Sequence, residues 1–167
     1  MTEAPTAVAV PALEAAVRAA LAGVPDPELP MVSLVDLGLI GRVEADAAWI
    51  SVELLPTFIG CHAIDAMKGA IVDRLAGMAD RIDVEVSFRE PWTSERITPD
   101  GRRRLQQSGV APPPSGGPQL ITLDAPVACP WCGSRRTTLE SAFGPTLCRT
   151  IRHCADCRQP FEAFKAV

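Results

Sequence analysis

Apolar residues in the first half of the chain recur with the spacing of two helices. The first such segment covers residues 10–22 and ends before Gly23. The second covers residues 61–78 and has one continuous apolar stripe, which predicts a helix that packs on a core rather than on a cofactor. The residues of that stripe are Ile64, Met67, Ile71, Leu75 and Met78.

Shorter apolar runs between and after these helices predict strands. Residues 39–44 and 49–55 surround a turn-like polar segment and predict a β-hairpin. Residues 81–88 alternate apolar with charged or small side chains and predict a half-buried strand. The order helix, strand, strand, helix, strand predicts an α+β domain, a small sheet with helices packed on one face.

The second half of the chain changes in composition. Thr98-Pro99-Asp100 predicts the start of a third helix within a first domain of residues 10–108. Residues 109–127 are rich in Pro and Gly and predict a linker. Residues 128–167 predict a small all-β module, a four-cysteine zinc ribbon. Its expected strands are residues 136–141, 148–153 and 161–164.

The net charge of −4 on the 167 residues is unevenly distributed. Residues 1–127 hold 10 Lys and Arg against 17 Asp and Glu, whereas residues 128–167 hold 6 against 3. An acidic body and a basic tail are typical of separate units. The chain has no long uncharged apolar run, and no basic segment precedes its Ala- and Val-rich start. We therefore expect neither a membrane span nor a signal peptide, and a cytoplasmic protein.

Four cysteines form two matched pairs, Cys129-Pro130-Trp131-Cys132 and Cys154-Ala155-Asp156-Cys157, with 21 residues between them. A two-residue gap lets both sulfurs of one tight turn face a single ion, so the spacing predicts a tetrahedral four-cysteine metal site. Two disulfides are the alternative, suited to an oxidising compartment. The spacing favours zinc, but four thiolates also accept iron or a cluster. Cys148 leaves the identity of the metal undecided at the level of sequence. It is a candidate alternative ligand, or it packs in the ribbon core.

Cys61 stands alone after Gly60, at the expected start of the second helix. Helix N-termini stabilise anions, so we expect a lowered thiol pKa, which suits metal binding or exchange. Packing of the thiol in the core is the alternative. A Cys–His protease is disfavoured, because Cys61 and the adjacent His62 would point about 100° apart on a helix.

Several loop motifs resemble one known family. Asp26-Pro27-Glu28-Leu29-Pro30, Asp36-Leu37-Gly38-Leu39-Ile40 and Thr57-Phe58-Ile59-Gly60-Cys61, followed by Pro91-Trp92-Thr93, resemble the iron–sulfur assembly domain of SufT-type proteins. The resemblance implies a small α+β fold in which Cys61 handles iron or a nascent cluster. The family usually has Pro after this cysteine, where this chain has His62. The residues expected to support the site are Asp26, Glu28, Asp36, Thr57 and Gly60; for the three carboxylates, turn formation and capping are the alternative.

A longer resemblance covers about residues 20–167. The tract from Trp92 to Asp100, the Pro-rich linker and the segment from Phe143 to Phe161 resemble the PaaD family of the bacterial phenylacetyl-CoA epoxidase system. This implies a non-catalytic accessory subunit of a ring-1,2-epoxidising monooxygenase in aerobic phenylacetate degradation. Its implied partners are the oxygenase and reductase subunits, whose iron or iron–sulfur centres it would help to assemble or mature.

Two other functions stay open at the level of sequence. Cys129-Pro130-Trp131-Cys132-Gly133 also resembles a rubredoxin knuckle, which would make the chain an electron-transfer subunit of the same monooxygenase. The basic ribbon with Trp131 permits nucleic-acid binding, but a dense basic stripe and interleaved aromatic residues are missing, so we expect no nucleic-acid partner. Whether the chain forms a homodimer is also open.

Overall fold

A three-stranded sheet forms the centre of the first part of the chain. The computed structural model describes residues 10–58, 60–114 and 126–165. The strands are β1 (Ile40–Ala45), β2 (Trp49–Leu54) and β3 (Arg81–Val86), in the order β1-β2-β3. β1 and β2 form the antiparallel hairpin that the apolar runs predicted, whereas β2 and β3 run parallel.

Three helices accompany this sheet: α1 (Val10–Leu21), α2 (Ile64–Leu75) and α3 (Pro99–Gln107). The parallel pair β2 and β3 needs a crossover connection, and α2 supplies it. Alternate residues of β2 are buried in the same core as the apolar stripe of α2, which confirms the α+β class. Among the described residues, no helix combines the length and the apolar character needed to cross a membrane.

A second sheet holds four strands in the order β4-β7-β6-β5. They are β4 (Val110–Ala111), β5 (Thr137–Ser141), β6 (Arg149–Cys154) and β7 (Pro160–Phe164). The last three correspond to the predicted strands of an all-β module. The linker prediction is corrected at β4, which pairs in parallel with β7 directly after α3. Residues 115–125 of the predicted linker lie outside the described residues.

The two sheets are joined by shared apolar packing. Phe164 of β7 is buried in the core of the first module, where its ring centroid lies 5.8 Å from that of Trp92. The indole Nε1 of Trp92 donates to the Leu37 carbonyl at 2.8 Å, so the ring is held at both its polar and its apolar side. The ribbon therefore packs on the first module instead of extending from it.

Gly38 is a left-handed turn position that lies close to the backbone of another segment. It has φ +67°, and a Cβ atom there would lie 2.4 Å from the Arg96 carbonyl oxygen. Gly77 offers a matched comparison, because it has φ +84° but no atom within 4 Å of such a Cβ. Comparing alanine substitutions at the two positions therefore distinguishes the cost of a left-handed backbone from the cost of a steric clash.

We predict that Gly38→Ala destabilises the protein much more than Gly77→Ala. Both substitutions cost about 1–2 kcal/mol for a left-handed alanine, and the clash at Gly38 adds about 1–3 kcal/mol. Urea unfolding followed by circular dichroism measures the difference. Equal unfolding midpoints for the two variants would contradict the close approach of Gly38 to Arg96.

Candidate functional site

The two cysteine pairs form turns of the same local shape. The Gly133 N–H donates to the Cys129 carbonyl and the Arg158 N–H donates to the Cys154 carbonyl, both at 2.9 Å. The residue after each second cysteine is left-handed, with φ 75° at Gly133 and 59° at Arg158. This repeated turn explains how a two-residue gap brings both sulfurs of a pair to one point.

The four sulfurs are spaced as the ligands of one tetrahedral ion. All four Sγ atoms lie within 4.8 Å of one another. Those of Cys129 and Cys157 are 3.7 Å apart, and those of Cys132 and Cys154 are 3.6 Å apart. Zn–S bonds of about 2.3 Å in tetrahedral geometry give sulfur separations of about 3.8 Å. The donor set therefore fits zinc, and the six cysteines of the chain are thiols rather than disulfides.

The electrostatics of these sulfurs favour a bound cation. The N–H groups of Cys157 and Asp156 lower the pKa of Cys154 to about 6. The Gln159 N–H acts on Cys157 in the same direction, but burial and the neighbouring sulfurs raise the pKa of Cys157 to about 12. Cys154 and Cys157 therefore do not ionise together on their own, and a metal ion bound between them would stabilise both thiolates.

Cys61 lies in the loop before α2 and not in the helix itself, which begins at Ile64. The loop is closed by the Cys61 N–H, which donates to the Phe58 carbonyl at 3.2 Å. Beside the thiol is a cavity of about 30 Å³, a volume that suits a single ion or water molecule. Residues of both modules line it, and most of its surface is apolar. The lining residues are Leu29, Leu37, Leu39, Ala63, Met67 and Phe164, together with Asp26, Glu28, Thr57, Cys61 and Cys148.

The Pro-rich loop brings two acidic residues, Asp26 and Glu28, to this cavity. Oδ1 of Asp26 accepts the N–H groups of Glu28 and Leu29, both at 2.9 Å, which folds the loop into a tight turn. Asp26 is only 8% exposed, and its burial raises its pKa despite those two donors. Glu28 reaches outward as well, where Oε1 lies 2.7 Å from Nε2 of the exposed His62.

The expected lowering of the Cys61 pKa is wrong. Burial of the thiol raises its pKa, and the carboxylates of Glu28 and Asp26 raise it further. The N–H groups of Ala63 and Ile64 act in the opposite direction without reversing the effect. α2 starts three residues later than expected, so Cys61 is not at the helix N-terminus. The stabilisation of a Cys61 thiolate by nearby N–H groups is therefore smaller than the destabilisation by burial and the acidic neighbours. The surroundings of Cys61 favour a cation over an anion.

Cys148 lies at the same cavity and does not belong to the four-sulfur cluster. Its Sγ is 3.1 Å from Oγ1 of Thr146. Burial raises its pKa, and Glu28 and Asp26 act on it as they do on Cys61. No spacing in the sequence links Cys148 to Cys61, because their shared cavity depends on how the ribbon packs on the first module.

The other predicted supporting residues are placed differently. The structure brings Thr57 to the cavity with Asp26 and Glu28, and Gly60 adjoins Cys61 in the loop. Asp36 lies elsewhere: its carboxylate accepts the Ser33 N–H at 3.2 Å and is 3.8 Å from Nε of Arg104. Turn formation and a link to α3 account for Asp36.

Comparison with known proteins assigns each module to a family. Residues 14–88 match the family model of iron–sulfur cluster assembly proteins, and residues 114–165 match the zinc β-ribbon domain of PaaD proteins. In solved structures, the chain is similar to a domain of unknown function, DUF59, from Bacillus anthracis, with 30% identity and a TM-score of 0.54 over 57% of this chain and 93% of that one. A conserved hypothetical protein from Thermotoga maritima is 25% identical, with a TM-score of 0.47 over 63% of this chain and 98% of that one.

Fold and site thus define a two-module protein, an iron–sulfur-assembly-type domain joined to a zinc β-ribbon. Over 151 residues the chain is 36% identical to the D subunit of the "Putative 1,2-phenylacetyl-CoA epoxidase" of Escherichia coli (strain K12). The match covers 89% of this chain and 90% of the relative. The chain belongs to the PaaD family of 1,2-phenylacetyl-CoA epoxidase subunits.

We predict that Cys132→Ser lowers the zinc content of the purified protein by about tenfold or more, because it removes one of four ligands. The ribbon should then become sensitive to limited proteolysis. Cys148→Ser is the matched control and should keep its zinc. Elemental analysis by mass spectrometry measures the zinc content of both variants. Zinc loss in the control, or full zinc in Cys132→Ser, would contradict the ligand set.

Proposed function

We propose that this protein is an accessory subunit of the phenylacetyl-CoA ring-1,2-epoxidase system in aerobic phenylacetate degradation. It acts in the cytoplasm on the oxygenase and reductase subunits and assists the assembly or maturation of their iron or iron–sulfur centres. The family membership supports a role in this system. The observation that carries the maturation role is Cys61, a half-buried thiol beside a small cavity that Asp26 and Glu28 also line.

Cys61 is the residue that binds the transferred iron or nascent cluster. Its thiolate is a strong ligand for iron, and a bound cation would offset the burial and negative charge that oppose ionisation. Asp26 and Glu28 contribute negative charge, which attracts a cation to the cavity. A Cβ on Gly60 would meet nothing closer than Leu147 Cδ1 at 4.0 Å, so Gly60 leaves room beside the loop.

The four-cysteine site has a different role in this proposal. Zinc held by Cys129, Cys132, Cys154 and Cys157 stabilises the ribbon, which provides a surface for partner subunits. Iron at the same sulfurs is the alternative and would make the ribbon a rubredoxin-like electron carrier. Trp131, 56% exposed beside the first knuckle, is compatible with either use.

Metal identity separates these two roles of the ribbon. We predict that anaerobically purified protein contains zinc at the four-cysteine site and has no visible absorption from that site. Metal analysis and a visible spectrum of the Cys61→Ser variant, which isolates the ribbon's contribution, provide the measurement. A coloured, iron-containing ribbon would favour electron transfer instead.

Replacing Cys61 tests the maturation role. In cells that depend on this protein, Cys61→Ser should leave its folding near normal but lower phenylacetyl-CoA epoxidation and the iron content of the partner subunits, on the order of tenfold. Ala66→Ser is the control, because it introduces the same side chain at an exposed position in the first turn of α2. Normal epoxidation and normal iron loading with Cys61→Ser would refute the proposal.

A further inference from the structure

Strand β3 forms an outer edge of the first sheet and differs from the other sheet edges. In the part of the chain that the structure describes, the two sheets end at four edge strands, β1, β3, β4 and β5. β1 and β5 each have a break in register with their neighbour, and β4 has only two residues. Bulges and short strands keep edges from pairing with another chain. β3 has neither feature, because its six residues stay in unbroken register with β2.

The backbone of β3 presents hydrogen-bonding groups at this edge. The Arg81 N–H donates to the Ala48 carbonyl at 3.0 Å, and the Ser87 N–H donates to the Leu54 carbonyl at 2.9 Å. The odd-numbered residues of β3 therefore turn their backbone groups toward β2. Because this direction alternates along a strand, the backbone groups of the even-numbered residues face the open edge. These residues are Ile82, Val84 and Val86.

The apolar side chains of β3 are incompletely covered. The same three even-numbered residues are only half-buried against the first core. The inward side chains of β2, which has a strand on each side, are fully buried. Phe88, two residues beyond β3, is 50% exposed. A strand added beside β3 would cover the flank of these side chains and bond the open backbone groups.

The charges of β3 match a second copy of the same strand. Arg81, Asp83 and Glu85 alternate with the apolar residues and lie on the opposite face. If two copies pair antiparallel about a two-fold axis at Asp83, Arg81 of each copy lies opposite Glu85 of the other. Ile82 then lies opposite Val84 on the apolar face. Opposite charges in directly opposed positions stabilise an antiparallel pair, so this register is self-complementary.

The surroundings of the acidic residues favour the same register. Glu85 lies beside Glu53 of β2, and Arg81 of a second copy would offset these two like charges. Asp83 would face Asp83 of the other copy. Its carboxylate accepts from Nε1 of Trp49 at 2.7 Å and lies 2.8 Å from Nε of Arg81, so its charge is already compensated. A register centred on Val84 would instead place Asp83 opposite Glu85 and is disfavoured.

We propose that two copies of this chain associate through β3, paired antiparallel about a two-fold axis at Asp83, so that the two three-stranded sheets become continuous. This inference is independent of the proposed function, because β3 contributes no residue to the Cys61 cavity or to the four-cysteine site. The competing explanation is a monomer in which water solvates the β3 edge and the charged side chains keep other strands away.

Charge reversal tests this pairing in the full chain with its zinc retained. Sedimentation velocity over a range of concentrations should show a reversible dimer of the wild type. Arg81→Glu and Glu85→Arg should each raise the dissociation constant of the dimer by about tenfold or more, because each variant places two like-charged pairs across the axis. An equimolar mixture of the two variants should regain the wild-type affinity, since both cross-strand pairs of the mixed dimer again join opposite charges.

Glu44→Arg is the matched control. It makes the same charge change at an exposed position of β1, the opposite edge of the sheet, and should leave the dissociation constant unchanged. Circular dichroism of each variant checks that it is folded.

Amide hydrogen exchange of the wild type, followed by NMR at low and high protein concentration, tests the register without any variant. The N–H groups of Ile82 and Val84 should exchange more slowly in the dimer, because they bond across the axis. The N–H of Val86 lies beyond the overlap of the two strands and should not change.

A wild-type protein that stays monomeric at all concentrations would overturn the inference. It would also be overturned by a dimer that both folded charge variants leave intact, or by a mixture that dissociates as readily as its components. Slowed exchange at Val86 would exclude the register centred on Asp83.

Discussion

Four sulfur atoms held within 4.8 Å of one another are the constraint on which the ribbon depends. Among the described residues, the buried cluster of the ribbon has five members, and two of them, Cys129 and Cys154, are ligands. So small an apolar core does not stabilise a module of this size without a metal. The Asp156 carboxylate adds a polar link between the knuckles, because it accepts from Ser134 and Arg136. The positions of β6 and β7 follow from this centre.

The four-cysteine centre thereby helps to position the residues around the Cys61 cavity, although none of its four cysteines lines that cavity. β7 carries Phe164 into the first core against Trp92, and the loop before β6 carries Cys148 to the cavity that Cys61 also lines. The acidic Pro-rich loop lines the same cavity through Asp26, Glu28 and Leu29. Burial and two carboxylates then disfavour a thiolate at Cys61 unless a cation is present. The same surroundings make Cys61 a poor nucleophile.

Local patterns in the sequence were sufficient for the elements and for the ribbon metal site. Alternation in β2, the stripe of α2 and the two-residue gaps of the knuckles are all short-range signals, and each predicted its structure. The pKa of Cys61 was mispredicted, because it depends on where the Asp26 loop folds and on where α2 starts. The place of Cys148 and the strand β4 were missed for a related reason. Both depend on packing between modules, which no spacing within either module encodes.

Transfer of iron from purified protein to an iron-free oxygenase subunit tests the central claim most directly. The full chain, with its zinc retained, is loaded anaerobically with isotopically labelled Fe(II), freed of unbound iron and mixed with the oxygenase subunit. The label in the re-isolated oxygenase is then measured. The account predicts rapid transfer from the wild type and from Ala66→Ser, and little from Cys61→Ser. Equal transfer from the wild type and Cys61→Ser, or none from the wild type, would contradict it.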